Sequence, residues 1–170
     1  MKRTSIVGIF SIAMMASGLM PLSVKGQQKS LADQVVGTWI YVSSTAKRED
    51  GSYETRPRLQ GAVTYTTDGR FHFITTLADA PKYASGVRER PTPDEAMATA
   101  SSALAYAGTY TVDEGTRTIH ANIETSTFPN FVGAPNQRRI VTSITADEMK
   151  FTNPRTASGL TLEIVWKRAK

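Results

Sequence analysis

The sequence predicts an all-β chain that closes as an eight-stranded antiparallel up-and-down barrel, with one helix inserted after the third strand. Segments rich in β-branched and aromatic residues recur along the chain, and short turns separate most of them. Short connections require antiparallel neighbours, and closure of the sheet removes exposed strand edges. A two-sheet sandwich is the alternative that the same pattern allows. The eight predicted strands cover residues 36–45, 61–67, 71–77, 106–112, 117–126, 137–145, 149–153 and 160–169.

The inserted helix has a clear start signal in the sequence. Thr92 is a suitable N-cap, Pro93 suits the first helical position, and Glu95 completes a T-x-x-E capping box. The alanine-rich segment that follows favours a helix, because alanine has the highest helix propensity. We therefore predict a helix from Pro93 to about Ala105.

The connections between strands carry turn signals of different strength. Asp68-Gly69 joins the second and third strands and is a strong hairpin signal. Residues 47–60 are charged and contain glycine and proline, so they are predicted to form a long loop, as are residues 78–91. Residues 127–133 join the fifth and sixth strands and form either a lid over the barrel mouth or a packed corner.

The first 26 residues have the layout of a secretory signal peptide. A basic start at Lys2 and Arg3 precedes an apolar run over residues 6–22, and small residues end the segment. The alternative is an N-terminal membrane anchor, which the glycine, serine and proline residues within the run disfavour. We therefore expect a cleaved leader at 1–26 and a barrel domain at 27–170, free in the periplasm or outside the cell and without a membrane span.

The composition excludes several classes of function. The chain has no cysteine, which excludes disulfides, thiolate metal sites and a cysteine nucleophile. Without the three basic residues of the leader, 17 of the 20 basic residues remain against 15 acidic ones. The resulting charge of +2 gives no strong electrostatic basis for nucleic-acid binding. The sequence also has no G-x-S-x-G elbow and no glycine-rich phosphate loop, so we predict no cofactor and no metal.

The alternation of side chains along the strands predicts which of them face the inside of the barrel. Successive side chains of a strand point to opposite faces, so the apolar set of each strand is expected inside. An eight-stranded barrel has room for packed side chains or for one small ligand. Buried tyrosines need hydrogen-bond partners, which a ligand can supply as well as the protein. The residues predicted to contact a ligand are Tyr65, Phe71, Phe73, Tyr106, Tyr110, Ile123 and Arg139.

Several polar residues are weaker candidates. Arg138 and Arg139 lie on opposite faces of the sixth strand, and both faces carry apolar neighbours, so the pattern does not decide which arginine points inward. An inward arginine would pair with a ligand carboxylate. His72 and His120, the only histidines, fall on the outward faces of their strands and are predicted to be solvated. Glu124 is expected to be exposed, with a role as general base as the alternative.

Five short motifs resemble those of the bacterial and fungal lipocalin-like domain family, in the family's order and over roughly residues 33–168. They are VVGTW (35–39), YTTDGR (65–70), YAGTYTVD (106–113), FPNFVG (128–133) and the Q-x-R of Gln137 and Arg139. The family usually has tryptophan at the position of Phe131. It often has histidine before the Glu-x-Ser of the fifth strand, where this chain has Asn122-Ile123-Glu124. The resemblance implies a barrel but no common reaction.

The same resemblance implies a structural role for Gly37, Trp39 and Arg168. In lipocalins a G-x-W tryptophan plugs the base of the barrel beneath an arginine from the final strand. Here Trp39 follows Gly37 on the first strand and Arg168 lies on the last, so we expect the guanidinium of Arg168 over the indole of Trp39. A ligand is then expected towards the other end of the barrel.

Three hypotheses for function follow from these observations. The first is an exported protein that binds a small, mainly apolar or amphipathic molecule in the barrel. The second is a cofactor-free isomerase or cyclase acting on a lipid-like or polyketide-like substrate, with Tyr106 or Tyr110 and Glu124 or Arg139 as its acid–base groups. The third is an envelope interaction protein whose barrel is filled with side chains. We expect binding rather than catalysis.

Overall fold

The computed structural model describes residues 29–154, 156 and 158–170. The predicted signal peptide at 1–26 lies outside the described residues and stays a prediction. The described elements are α1 (Leu31–Val35), β1 (Gly37–Lys47), β2 (Tyr53–Glu54), β3 (Leu59–Tyr65), β4 (Arg70–Leu77), α2 (Pro93–Ser102), β5 (Leu104–Asp113), β6 (Thr118–Ser126), a 3-10 turn (Pro129–Phe131), β7 (Arg138–Ile144), β8 (Glu148–Asn153) and β9 (Thr161–Arg168).

Eight of the strands form a closed antiparallel barrel. Strands β1 and β3 to β9 pair in sequential order, and β9 pairs back with β1 over Trp39–Arg168 to Lys47–Thr161. This closure confirms the predicted up-and-down barrel and rules out the two-sheet sandwich. Strand β2 is not one of these eight: among the described strands it pairs with the end of β1. It lies within residues 47–60, which were predicted to form a loop. The chain turns back after Lys47, and two of its residues then pair with β1.

Helix α2 lies in the connection between β4 and β5, the third and fourth strands of the barrel, as predicted. The Thr92 hydroxyl accepts a hydrogen bond from the Glu95 backbone N–H, and the Glu95 carboxylate accepts one from Thr92 N–H at 2.8 Å. The same carboxylate also accepts from Ala84 N–H at 2.7 Å, which fixes the preceding loop. The helix ends at Ser102, earlier than predicted, since β5 already begins at Leu104.

The β5–β6 pair contains a β-bulge. The register shifts between Ala107 and Gly108, and an extra residue on one strand increases local twist. A Cβ atom on Gly108 would lie 1.9 Å from the carbonyl oxygen of Asn122, so only glycine permits the two backbones to approach this closely. The bulge helps to curve the sheet into a barrel.

The short helix α1 covers one end of the barrel. Its Leu31 and Val35 side chains are buried with Trp39 in the main apolar cluster. The carboxylate of Glu114, in the β5–β6 turn, accepts hydrogen bonds from the N–H groups of Leu31 and Ala32 at 2.8 and 2.9 Å. These contacts satisfy two free donors at the helix start and hold α1 across the opening. No helix in the described part of the chain has the length and hydrophobicity that a membrane span requires.

Candidate functional site

The end of the barrel beneath α1 is closed by Trp39 and Arg168. The Trp39 side chain is fully buried, and its indole N–H donates to the carbonyl of Val35 at 2.8 Å. The guanidinium carbon of Arg168 lies 4.0 Å from the centre of the indole ring. The contact expected from the resemblance is therefore present, in the geometry of a cation–π interaction.

Arg168 also ties three chain segments together at this closed end. Its guanidinium donates to the carbonyls of Gln34 at 2.7 Å, Val36 at 2.8 Å and Ala146 at 2.6 Å. Gly37 makes room for this arrangement: its φ is +123°, and a Cβ atom there would lie 2.8 Å from the Nη1 atom of Arg168. Gly37 and Trp39, two residues apart, therefore both contact the guanidinium of Arg168.

Four of the predicted ligand contacts belong to the packed apolar cluster of the barrel. Among the three that are aromatic, the ring centroid of Tyr65 lies 5.0 Å from that of Tyr110 and 6.2 Å from that of Phe71. The Tyr110 hydroxyl donates to the carbonyl of Thr66 at 2.9 Å. Burial raises the pKa of Tyr65 and also that of Tyr110. The four residues that do not line the cavity described next are Tyr65, Phe71, Tyr110 and Ile123.

A cavity of about 700 Å³ occupies the opposite end of the barrel. The Phe73 ring stacks on the Tyr106 ring with 4.4 Å between centroids, and it also lies 6.0 Å from the Trp166 ring. Leucine and isoleucine side chains from β3, β5 and β9 complete the apolar wall. Six aromatic residues line the cavity: Tyr41, Phe73, Tyr106, Phe131, Phe151 and Trp166.

The segment between β6 and β7 contributes to the mouth of this cavity. Phe131, in the 3-10 turn, lines the cavity, and its ring centroid lies 5.8 Å from that of Tyr106. Phe128, in contrast, is 41% exposed. The N–H of Gly133 donates to the carbonyl of Ile123 at 3.1 Å, which anchors the segment to β6. The segment is thus a packed corner that also supplies one wall of the mouth.

Arg139 points into the barrel, and this answers the question that the sequence left open. Only 7% of Arg139 is exposed, while Arg138 is exposed at the cavity rim. The Arg139 guanidinium donates to the Tyr106 hydroxyl at 3.0 Å and to the carbonyl of Arg138 at 3.1 Å. Burial disfavours the charged guanidinium, but the Tyr106 and Tyr65 hydroxyls outweigh this and leave the pKa of Arg139 above its ordinary value. The cavity therefore holds a permanent positive charge.

The cavity has a one-sided charge distribution. Three arginines line it, namely Arg56, Arg138 and Arg139, and no aspartate or glutamate is among its described lining residues. Glu124 faces solvent instead, where its carboxylate pairs with Arg70 at 2.7 Å, as expected for an exposed strand residue. His72 and His120 are also exposed. Within residues 29–154, 156 and 158–170, no group of three acidic, histidine or cysteine side chains is placed to hold a metal ion.

Three residues that line the cavity each carry a buried polar atom without a hydrogen-bond partner among the described residues. These atoms are the indole nitrogen of Trp166, the Nε atom of Arg56 and the side-chain oxygen of Asn153. Unpaired buried polar atoms are costly and are normally satisfied by protein, water or ligand. Sequence reasoning missed Arg56 and Asn153, because Arg56 lies in a segment predicted as a loop and Asn153 ends its strand.

The comparisons with known proteins agree with this architecture. The sequence profile of the lipocalin-like domain family matches residues 36–169. The chain belongs to this family. No curated protein matches the chain. As a lipocalin-like barrel, it has one end closed by a tryptophan–arginine pair and a cavity at the other, and three of the seven predicted ligand contacts line that cavity: Phe73, Tyr106 and Arg139.

Proposed function

We propose that this lipocalin-like protein binds one small, mainly apolar molecule in the cavity at the open end of its barrel. The observation that carries the proposal is the cavity itself, since about 700 Å³ lies within the range of small-molecule sites. Such sites combine apolar walls with a few polar groups that orient the ligand. Aromatic rings supply the walls here, and Arg139, Tyr106 and the indole N–H of Trp166 supply polar groups.

The two alternatives have less support from the described side chains. A barrel filled with side chains is hard to reconcile with a cavity of this size. A cofactor-free isomerase or cyclase needs its acid–base groups at the cavity, but Glu124 faces solvent and pairs with Arg70. Of the predicted acid–base groups, Tyr106 and Arg139 are the two that touch at the cavity, and a hydroxyl paired with a guanidinium is suited to orienting a ligand.

The proposal includes export, which rests on the leader-like composition of residues 1–26. A binding protein outside the cytoplasm would meet molecules that cross or leave the envelope. Amino-terminal sequencing of the protein from periplasmic and culture fractions tests this part. Mature protein that starts near residue 27 supports export, and full-length protein confined to the cytoplasm contradicts it.

Titration with the uncharged dye N-phenylnaphthylamine tests binding. The dye fluoresces in apolar surroundings, so we expect saturable enhancement at one dye per protein. Leu162→Trp places a larger side chain in the cavity wall, and we expect dye affinity to fall by at least about tenfold. Ile74→Trp is the matched control, because Ile74 is 52% exposed on the outside of the barrel wall.

The outcomes of the titration separate the cavity from the outer surface. Loss of affinity in Leu162→Trp with wild-type affinity in Ile74→Trp supports the proposal. Equal binding by both variants and the wild type would place the dye outside the barrel and overturn it. Absence of saturable binding to the wild type would overturn it as well.

A further inference from the structure

Arg139 is a buried charge without an ionic partner among the described residues. The ion pairs seen among the described residues include Arg48–Glu54, Arg70–Glu124, Arg88–Glu89 and Lys150–Glu148, and each of these side chains is at least 34% exposed. Arg139, in contrast, is only 7% exposed and has no carboxylate within reach. Buried charges in proteins are normally paired, because an unpaired charge loses its hydration without compensation. The missing partner is therefore expected to come from outside the chain.

The hydrogen bonds of Arg139 leave room for such a partner. A guanidinium has five N–H groups, and those of Arg139 make two hydrogen bonds within the described residues, to Tyr106 and to the Arg138 carbonyl. The Tyr106 hydroxyl accepts from Arg139, and no described acceptor takes its own proton. Guanidinium and hydroxyl protons are thus both available at one place on the cavity wall.

The remaining polar groups of the cavity favour the same sign of charge. Arg56 and Arg138 add positive charge at the cavity, and its described lining contains no acidic side chain that would repel an anion. The indole N–H of the fully buried Trp166, a residue of the cavity wall, is a further donor without a described acceptor. Asn153 contributes one unpaired acceptor, which a ligand hydroxyl or a water would satisfy.

Resting on the binding function proposed above, we propose that the ligand is an amphipathic organic anion. Its carboxylate accepts hydrogen bonds from the Arg139 guanidinium and the Tyr106 hydroxyl, and its apolar body lies against the rings of Phe73 and Trp166. Guanidinium–carboxylate contacts are among the strong hydrogen bonds of proteins, and they strengthen in an apolar cavity where water is excluded. Charge at Arg139 then selects the ligand, while the aromatic wall supplies apolar burial.

Displacement of N-phenylnaphthylamine by three matched competitors tests this inference. Dodecanoate, dodecanol and dodecylammonium share one chain and differ in the charge of the head group. We expect dodecanoate to displace the dye at a concentration at least about 30-fold lower than dodecanol, which corresponds to a loss of about 2 kcal/mol when a buried charge partner is removed. Dodecylammonium is expected to be the weakest of the three.

Two arginine variants locate the preference for the anion. Arg139→Met removes the charge and keeps most of the side-chain volume, so we expect it to bind dodecanoate and dodecanol equally, each competitor being corrected for the affinity of the variant for the dye. Arg138→Met is the matched control at the exposed neighbour and should keep most of the preference. Tyr106→Phe removes the hydroxyl and should reduce the preference about tenfold. Circular dichroism shows whether each variant has kept its fold.

The outcomes distinguish this inference from the binding function itself. If the dye does not bind wild-type protein, the binding function fails. If the dye binds but the three competitors displace it equally, binding stands and the anion preference is overturned. The inference also fails if Arg139→Met keeps the full preference for dodecanoate, or if Arg138→Met abolishes it. If Arg139→Met does not fold, Arg139→Lys replaces it. An Arg139→Lys variant that keeps both the wild-type affinity for dodecanoate and the full preference for it over dodecanol would contradict recognition by the planar guanidinium.

Discussion

Two arginines mark the two ends of this barrel, and they differ in what surrounds them. Arg168 donates to three backbone carbonyls and stacks on the Trp39 indole. Arg139 donates to one carbonyl and one hydroxyl beside a cavity of about 700 Å³. Backbone carbonyls thus accept from the first guanidinium on several sides, whereas the second, although only 7% exposed, lines the cavity. An arginine that donates to several backbone carbonyls is suited to holding a fold together, and one that lines a cavity with free N–H groups is suited to receiving a ligand.

The two tryptophans repeat this contrast. The indole N–H of Trp39 donates to the carbonyl of Val35, while that of Trp166 has no partner among the described residues. Both side chains are fully buried. The two ends of the barrel therefore differ in whether the indole N–H is hydrogen-bonded, and not in how deeply the tryptophan is buried.

The largest effect is expected from Trp39→Ala. Removing this buried aromatic leaves a cavity at the closed end and removes the surface on which Arg168 stacks, so the free energy of unfolding should fall by about 3–5 kcal/mol. Urea unfolding followed by circular dichroism measures it. Ile40→Ala is the control, because Ile40 is the next residue of the strand and is 45% exposed. A Trp39→Ala variant as stable as wild type would place Trp39 outside the core.

A paired comparison of Arg168→Met and Arg139→Met tests the contrast directly. Arg168→Met leaves three carbonyls without their donor and should lower the free energy of unfolding by about 2–4 kcal/mol. Arg139→Met replaces an unpaired buried charge with an apolar side chain and should change it by less than about 1 kcal/mol in the unliganded protein. Equal destabilisation by the two substitutions would show that both arginines serve the fold.

Gly37→Ala refines the account of the closed end. A methyl group at this position would lie 2.8 Å from the Nη1 atom of Arg168, on a backbone with a φ of +123°. We expect a loss of about 1–3 kcal/mol in the free energy of unfolding. Gly86→Ala is the control, because it also has a positive φ but a Cβ there meets no atom within 4 Å. A smaller loss in the free energy of unfolding for Gly37→Ala than for Gly86→Ala would mean that the space beside the Arg168 guanidinium accommodates the methyl group.

Alkaline pH should weaken the packed apolar cluster of the barrel. Burial raises the pKa of Tyr65 above its ordinary value of 10.0, so the folded protein keeps a proton that the unfolded chain releases. The free energy of unfolding is then unaffected by Tyr65 below pH 10 and falls above it, by up to about 1.4 kcal/mol per pH unit. Urea unfolding at several pH values should show a shallower fall for Tyr65→Phe. Tyr53→Phe, at an exposed tyrosine, is the control, and equal slopes for both variants would contradict the account.

Most of the fold could be predicted from the sequence because its signals are local. The alternation of apolar residues predicted the strands, Asp68-Gly69 predicted a hairpin, and the capping box of Thr92 and Glu95 predicted where the helix begins. The two-residue strand β2 was missed, since so short a strand has no period to detect. Among the described strands it pairs with β1, and the ion pair between its Glu54 and Arg48 adds a side-chain contact.

The candidate site was less predictable, because the alternation of side chains shows which of them point inward but not how far along the barrel axis each one lies. Tyr65 faces inward as predicted, but it pairs with Gly37 and so lies at the closed end, away from the cavity. The choice between Arg138 and Arg139 also needed the structure, since both faces of their strand carry apolar residues. Arg56 reaches the cavity from the connection before β3, where no alternation assigns a direction.

Proton–nitrogen correlation NMR of the two indole N–H groups tests the central claim most directly, because each reports on one end of the barrel. During titration with dodecanoate, the Trp166 indole signal is predicted to shift and saturate, since the Trp166 side chain lines the cavity and its N–H has no described partner. The Trp39 signal is predicted to stay in place, because its N–H is already bound to the Val35 carbonyl at the closed end. Saturable shifts of the Trp39 signal with an unchanged Trp166 signal would place binding at the wrong end, and saturable binding that moves neither signal would place it outside the barrel.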